Sequence, residues 1–541
     1  MRVLVISGHP EPGQATAAAL AHVLAPGGIE VVQSTGAAAM GRLDSGDFAC
    51  VVLTPTCQVS ENDVLSLEDF VRAGGGLVGV GAPGSTSGHF HLLAGLLGSR
   101  VREHRPAMDL RVQVSDYAHP LARRLHDFHI HDELTLSEKS VDSHAFLVAW
   151  CDGQPLSMAH TRREGDGRVV CLSLGRTVAA LAQPAWQSLL RRAVRYASKP
   201  VPGQAHVETP LRATLIGYGG SFNTGRLHAE SLARLEVPVV AVCDRDGKRC
   251  TAAKLELGDH IRAGTQCDQV LSDAVSELGI ICTPHDTHAR LAERVLASGR
   301  HVVIEKPFAL TVTEADAILE SAARHGRIAT AFHHRRWDGD YRAIKHAVTS
   351  GVIGEVFHIE CFFGGYGEPR GDWWRSDRTI SGGLFFDYGP HFIDWVVDLM
   401  QAPVSAVAGT SHKRHWHQVS NEDHLDCQLR FPGGRTASIQ MSTLAAAPRS
   451  RFRILGTRGA LEQVTAEPSE GIRQTTIQDG RRIEAVLPCF PTDSDGFYRN
   501  LIDHLQLGEP LAVPPAVART VTAVLDLAGQ SARSNGDFIL V

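Results

Sequence analysis

The chain has 541 residues, 43% of them hydrophobic and 21% charged, and its 53 Lys and Arg against 59 Asp and Glu give a formal net charge of −6. That length exceeds what one hydrophobic core serves, so several domains are expected. A mildly acidic chain with no block of like charge argues against nucleic acid or an anionic membrane as partner. The N-terminal apolar run, Val3–Ile6, is too short for a secretion signal, and no apolar stretch is long enough to span a bilayer, so a cytoplasmic protein is expected. The 11 cysteines show no C-x-x-C pair, which predicts reduced, buried thiols and no metal site.

Met1–Ser198 reads as an alternating α/β unit. Strands are predicted at Arg2–Ile6, Ile29–Gln33, Cys50–Leu53, Leu77–Val80 and Arg168–Leu174. Helices are predicted at Ala15–Leu24, Val64–Ala73 and Trp186–Ala197. This alternation predicts a parallel sheet covered on both faces. His9, His89, His131, Asp132 and Glu133 are candidates to line a pocket at its strand ends, where such sheets bind ligands; loop polarity and helix capping are the plainer roles for them. Lys199–Pro210, with three prolines and a glycine, reads as a semi-extended linker.

The next stretch, Leu211–Asp244, has the order strand, glycine turn, helix, strand, acid. An apolar run at Ala213–Ile216 breaks into Gly217, Gly219, Gly220 and Gly225; a helical segment at His228–Leu235 and a strand at Val237–Cys243 follow, ending on Asp244. A dinucleotide needs that order: glycines let the backbone approach the pyrophosphate, the helix N-terminus offers free N–H groups, and the acid bonds the ribose hydroxyls. The spacing departs from G-x-G-x-x-G, because five residues separate Gly219 from Gly225 and lengthen the loop by three. Asp244 favours NAD, since a 2′-phosphate would meet its charge; Arg245, Lys248 and Arg249 follow closely and would favour NADP instead.

Beyond Asp244 the βα alternation continues. Ser276–Cys282 runs into Thr283-Pro284 and His288, His301–Ile304 into Glu305-Lys306-Pro307, and Arg327–Phe332 into His333-His334-Arg335-Arg336-Trp337. Lys306, at a buried strand end, would lie near the cofactor, with low solvation pushing its pKa downward. Asp387 and His391 are four apart, so a helix over 387–399 places them on one face, and a carboxylate beside an imidazole suits a proton-abstracting histidine. Trp373, Trp374 and Arg375 are candidates to stack on a sugar ring and bond its hydroxyls. Later, His424–Phe431 and 437–442 alternate with period two, which predicts an antiparallel sheet buried on one face.

Two resemblances rest on these motifs. Gly74-Gly75-Gly76-Leu77-Val78-Gly79, His131-Asp132-Glu133-Leu134 and Gly165-Asp166-Gly167-Arg168-Val169 resemble the ThuA-like (trehalose-utilisation) family, which implies a flavodoxin/amidotransferase-like sheet for residues 1–198. A glutamine amidotransferase needs a thiolate on the turn after the Leu77–Val80 strand, and Gly81-Ala82-Pro83-Gly84 supplies none, so glutamine hydrolysis is not expected. The glycine turn with His228, Cys282-Thr283-Pro284 with His288, Gly299–Pro307 and Ser381–Asp394 resemble the Gfo/Idh/MocA family of NAD(P)-dependent oxidoreductases. His334 departs from that family's usual Asn.

The second resemblance implies a Rossmann NAD(P)-binding domain at 211–335 and an α+β domain with a large, mostly antiparallel sheet at 336–541, whose free face forms a homo-oligomer contact. It further implies Lys306, Asp387 and His391 as the catalytic group, with His391 the base and Lys306 polarising the substrate oxygen. Gly217, Gly219, Gly225, Asp244, Arg245, Thr283, Pro284, His288, Glu305, Lys306 and Arg335 are the expected cofactor contacts. Trp373, Trp374, Arg375, Lys306 and His391 are the expected substrate contacts. The reading is oxidation of a secondary hydroxyl on a sugar, glycoside or cyclitol to a ketone, with the first domain handling the keto product. The rivals are a redox-neutral, NAD-retaining glycosidase or epimerase and a non-enzymatic sugar sensor; an intact proton-transfer set counts against the sensor.

Overall fold

The computed structural model describes every residue except 9–12, 26–28, 36, 44–45, 84–89, 117–118, 123–124, 126, 199–210, 221, 448, 464–469 and 479. His9, His89 and the 199–210 linker therefore lie outside the described residues. The chain forms two compact units, Met1–Thr209 with Ile502–Pro510, and Pro210–Leu501 with Leu511–Val541.

The first unit is built on strands β1 (Arg2–Ser7), β2 (Glu30–Thr35), β3 (Cys50–Leu53), β4 (Gly76–Val80), β5 (Ser99–Val114), β6 (Phe128–Lys139), β7 (His144–Cys151), β8 (Gln154–Glu164) and β9 (Gly167–Leu172), in the order β2-β1-β3-β4-β9-β8-β7-β5-β6. From β2 to β9 the pairing is parallel, and β3 and β4 are buried throughout, as their unbroken apolar runs require. The helices Glu61–Arg72 and Pro184–Ala197 cover this half; Ser60 and Asp63 cap the former reciprocally. The other half is antiparallel, an extension that βα alternation does not announce. Of its strands, β5 escapes notice in the sequence because it carries charged residues on an open face and so lacks an apolar run.

In the second unit, β10 (Ala213–Ile216), β11 (Val239–Cys243), β12 (Arg262–Gly264), β13 (Leu278–Ile281), β14 (His301–Ile304) and β15 (Ala329–Ala331) form a parallel sheet in the order β12-β11-β10-β13-β14-β15. The order reverses between β10 and β13, which opens a crevice beyond their C-terminal ends. A second sheet contains β16 (Val356–Gly364), β17 (Ala406–His412), β18 (His424–Arg430), β19 (Thr436–Ser442), β20 (Phe452–Gly456), β21 (Gly459–Gln463), β22 (Ile472–Gln478), β23 (Arg481–Leu487) and β24 (Ile539–Leu540), ordered β23-β22-β21-β20-β16-β19-β18-β17-β24. It is antiparallel except for the β16–β19 pair. The helix Phe385–Met400 packs on one face of this sheet, where Phe392, Trp395, Ile439 and Phe452 share a core. That packing fixes where Asp387 and His391 stand.

Candidate active site

The glycine turn follows β10. Gly217 has φ 99°, and a Cβ there would sit 2.9 Å from the Cys282 carbonyl, so no side chain fits. A Cβ on Gly225 would lie 2.7 Å from the Gly217 carbonyl oxygen, which shows why the helix can sit so close to the turn. The helix begins at Thr224, four residues earlier than the sequence suggests. Its cap, Asn223, adopts φ 41° and accepts the Gly219 N–H at 2.8 Å and the Arg226 N–H at 3.3 Å. Asp244 stands at the end of β11, where its oxygens take the Tyr218 and Asp246 N–H groups at 2.9 Å each. Arg249 lies 3.5 Å from it, while Arg245 points to solvent.

The turn after β13 is tied inward. Thr283 bonds Thr287 at 2.6 Å, and Thr287 also donates to the Pro284 carbonyl at 2.6 Å. His288 is 1% exposed, its ring nitrogens 2.8 Å from the Pro307 carbonyl and 2.9 Å from that of Thr283. It braces two turns of the crevice, and direct contact with a cofactor is not its geometry. Glu305 is likewise turned inward: it accepts the Lys306 N–H at 3.0 Å and stands 3.3 Å from Nε2 of the buried His228. His228 in turn meets the Tyr498 hydroxyl at 2.7 Å. Burial opposes the imidazolium, but Cys282 and Glu305 outweigh it and raise His228 to about 10. Burial would raise Glu305, yet His228 and then Lys306 hold it down at about 2.

Lys306 reaches the start of the Phe385–Met400 helix, donating to the Asp387 carbonyl at 2.6 Å and standing 3.4 Å from its carboxylate. Arg375 approaches the same carboxylate at 3.5 Å. His391 is 3% exposed, packed edge-on to His334 at 5.6 Å and Tyr388 at 5.4 Å, with His333 at 6.4 Å. Burial lowers its pKa well below 6.5, and the charges of Lys306 and Arg335 push the same way. Arg335 bonds Asp338 at 2.9 Å and lies over Tyr388.

The expected pairing of Asp387 with His391 does not form; among the described residues no hydrogen bond joins them. Asp387 opens the first turn of its helix and is drawn to two cations, whereas His391 lies deeper, among imidazoles. The indoles of Trp373 and Trp374 pack on the Arg375 guanidinium, at 5.1 and 4.3 Å, and Trp374 also meets His285 edge-on at 4.8 Å. Arg375 therefore lies over a face of each indole.

Three family models match the chain: the NAD-binding Rossmann fold of the Gfo/Idh/MocA oxidoreductases over residues 211–333, the C-terminal domain of the same family over 341–462, and trehalose utilisation (ThuA) over 2–197. The chain is a ThuA domain fused to a Gfo/Idh/MocA oxidoreductase. An uncharacterized oxidoreductase, YdgJ, from Escherichia coli (strain K12) is 28% identical over 61% of this chain and 99% of that protein. The myo-inositol 2-dehydrogenase of Thermotoga maritima is 24% identical over 56% of this chain and 90% of that protein. A solved NAD-binding protein from Listeria innocua shares the fold, with TM-score 0.55 and 24% identity over 61% of this chain and 97% of that one.

The Gfo/Idh/MocA crevice fits a nicotinamide dinucleotide. Its glycine turn has no room for a side chain at Gly217 or Gly225, and the crevice leaves polar atoms unsatisfied where a ligand would lie. Nδ1 of His391, Nδ1 of His334 and both ring nitrogens of His333 are buried without a hydrogen-bond partner. His333, Tyr388, His228 and Tyr498 were not picked out as site residues from sequence. Three of them lie within motifs quoted from the sequence, but nothing near Tyr498 signals that it meets His228.

In the ThuA unit the candidate pocket residues serve the fold. Asp132 is fully buried and accepts N–H groups from Gly175 at 2.6 Å, Thr177 at 2.9 Å and Arg176 at 3.2 Å, which holds the turn leading into the short helix Val178–Leu181. Glu133 holds Arg176 at 2.7 Å, and Arg176 donates to the Gly81 carbonyl at 2.7 Å. His131 pairs with Asp109 at 2.9 Å on the surface. Arg176 thus covers the turn after β4, where Ala82 stands at φ 56° in place of a nucleophile. No helix among the described residues is long and apolar enough to cross a membrane.

Proposed function

We propose that this oxidoreductase oxidises a secondary hydroxyl of a cyclitol, sugar or glycoside to the ketone, with NAD preferred over NADP. The observation that carries the reading is the contact of Lys306 with Asp387 at the dinucleotide crevice, with His391 among the unsatisfied imidazoles nearby. When bound, the nicotinamide supplies the hydride chemistry. The glycine turn of Gly217, Gly219 and Gly225 would hold its pyrophosphate and Asp244 its ribose. Arg245, Thr283, Pro284 and Arg335 would border it. Lys306 polarises the substrate oxygen. His391, kept neutral by burial and neighbouring cations, takes the hydroxyl proton. Asp387 orients Lys306 and Arg375. A pocket lined by unpaired imidazoles suits a ligand with many hydroxyls, and the inositol dehydrogenase relative favours a cyclitol.

The ThuA unit takes a binding role towards the keto product, since the described residues of its β4 turn, Gly81, Ala82 and Pro83, carry no nucleophile. The free face of the second sheet is the assigned subunit contact. The test is to offer the full chain a panel of cyclitols, sugars and glycosides with NAD and follow NADH. Formation on one of them is expected; no NADH on any, with the alcohol unconsumed, overturns the reading.

A further inference from the structure

The lengthened glycine turn carries an aromatic side chain across the crevice. Phe222, at 60% exposure, meets the Trp373 ring at 5.8 Å and the Arg375 guanidinium at 5.4 Å. Arg375 extends from there to Asp387 at 3.5 Å, and Asp387 is joined to Lys306. Phe222 belongs to the turn after β10, and Lys306 to the turn after β14. β13 lies between those strands. The contacts Phe222–Arg375–Asp387–Lys306 therefore pass over the C-terminal edge of β13, at the point where the strand order reverses and a dinucleotide crosses the sheet.

A G-x-G-x-x-G turn of ordinary length lacks these extra residues. Here Asn223 fixes the longer loop by holding the Gly219 amide, so the excursion is built rather than slack. A phenylalanine this exposed is weakly supported by its own fold, and its contacts all lie on the far wall of the crevice. We propose that Phe222, packed against Arg375 and Trp373, is a clasp that closes the dinucleotide crevice and sets how fast the cofactor leaves. The clasp couples release to the catalytic group, because opening it frees Arg375 from one of the rings that hold it beside Asp387. The proposal rests on the NAD(P)-binding reading of the crevice and not on the identity of the alcohol.

The experiment compares wild type, Phe222→Ala and Phe222→Tyr as full chains. NADH is bound and then displaced by excess NAD in a stopped-flow fluorimeter, with no carbohydrate present. Because Phe222 is mostly exposed, Phe222→Ala is expected to fold. Loss of the ring–cation and ring–ring contacts should raise the NADH dissociation rate about tenfold, while Phe222→Tyr stays within about twofold of wild type. An unchanged rate in Phe222→Ala overturns the clasp, as does Phe222→Tyr behaving like Phe222→Ala, or wild type failing to bind NADH. A chain that shows the expected rates but turns over no alcohol would keep the clasp and lose the substrate assignment.

Discussion

Replacing His391 with Asn tests the proton-transfer assignment most directly. General-base catalysis contributes about 10²- to 10⁴-fold. The structure puts this site in the upper part of that range, because the nearby carboxylate is already engaged and water is largely excluded. Asp387 is engaged by Lys306 and Arg375, and a 3% exposed imidazole leaves little room for a substitute water. A drop in kcat of about 10³- to 10⁴-fold is expected, or ~4–5.5 kcal/mol of barrier. NADH affinity should stay within about twofold, since no contact joins His391 to the described residues of the glycine turn. The pH profile gives a second reading. A base works unprotonated, so its rate rises with pH through its pKa, and a value held well below 6.5 places the acid limb of wild-type kcat/KM below that pH. Lys306 is the first charge responsible after burial, so Lys306→Met should move that limb upward while lowering kcat. Single-turnover NADH formation by His391→Asn on the substrate found by the panel is the assay. Retention of more than about a tenth of the wild-type rate, or an acid limb unchanged in His391→Asn, refutes the role.

Three further outcomes follow from the same geometry. Asp244→Asn should lower kcat/KM for NAD by about 10- to 100-fold, the loss of charged hydrogen bonds to ribose, and narrow the gap to NADP; steady-state kinetics with both cofactors decides it, and an unchanged ratio removes Asp244 from cofactor choice. Asp394→Asn should destabilise the second unit by about 3–5 kcal/mol, because Arg336 loses a bidentate partner at 2.7 and 2.8 Å while staying buried; urea unfolding showing a loss below about 1 kcal/mol would contradict this. The His228–Glu305 pair should show in stability against pH. Glu305, depressed to about 2, contributes above its unfolded value and loses that contribution as pH falls towards 2; His228, raised to about 10, contributes fully below its unfolded value and loses it as pH rises towards 10. The stability difference between wild type and Glu305→Gln should therefore peak between about pH 4.5 and 6.5, and a difference flat across pH would dissolve the pair.

Much of this was legible in the chain itself. Strands such as Cys50–Leu53 and His301–Ile304 are short apolar runs bounded by turns, and they fold as read. The alternation of Leu425, Cys427 and Leu429 gives the buried face of β18. Local pattern did not disclose the antiparallel half of the first sheet, whose strands carry charge on an open face. Nor did it disclose which partner a polar side chain would choose. Asp387 and His391 share a helix face by spacing, yet Lys306 and Arg375, distant in sequence, capture the carboxylate. Glu305 and His288 looked like cofactor contacts because they flank the crevice motifs. Their side chains turn inward to partners such as His228 and the Pro307 carbonyl. Asp132 read as a pocket acid and is the buried acceptor that holds the turn at Gly175–Thr177.

The spacing that matters on the Phe385–Met400 helix is His391, Asp394 and Asp398, at i, i+3 and i+7. These three share one face, and one residue, Arg336, bridges both carboxylates on it. Arg336, three positions after His333 in the turn beyond β15, bonds Asp394 through both oxygens and reaches Asp398 at 3.1 Å. Tyr341 and Lys345 hold Asp398 from the other side. A buried ion cluster gives little net stability, because desolvation offsets most of the Coulomb gain. What it does impose is geometry: a helix that slid or rotated would strand several charges away from water at once. The last turn of the dinucleotide-binding sheet is thereby locked to the helix carrying His391, one and two turns along from that imidazole. Packing alone would tolerate a shift of the helix by a fraction of an ångström. Proton abstraction beside a hydride acceptor tolerates much less, and the expensive charges sit where that tolerance is set.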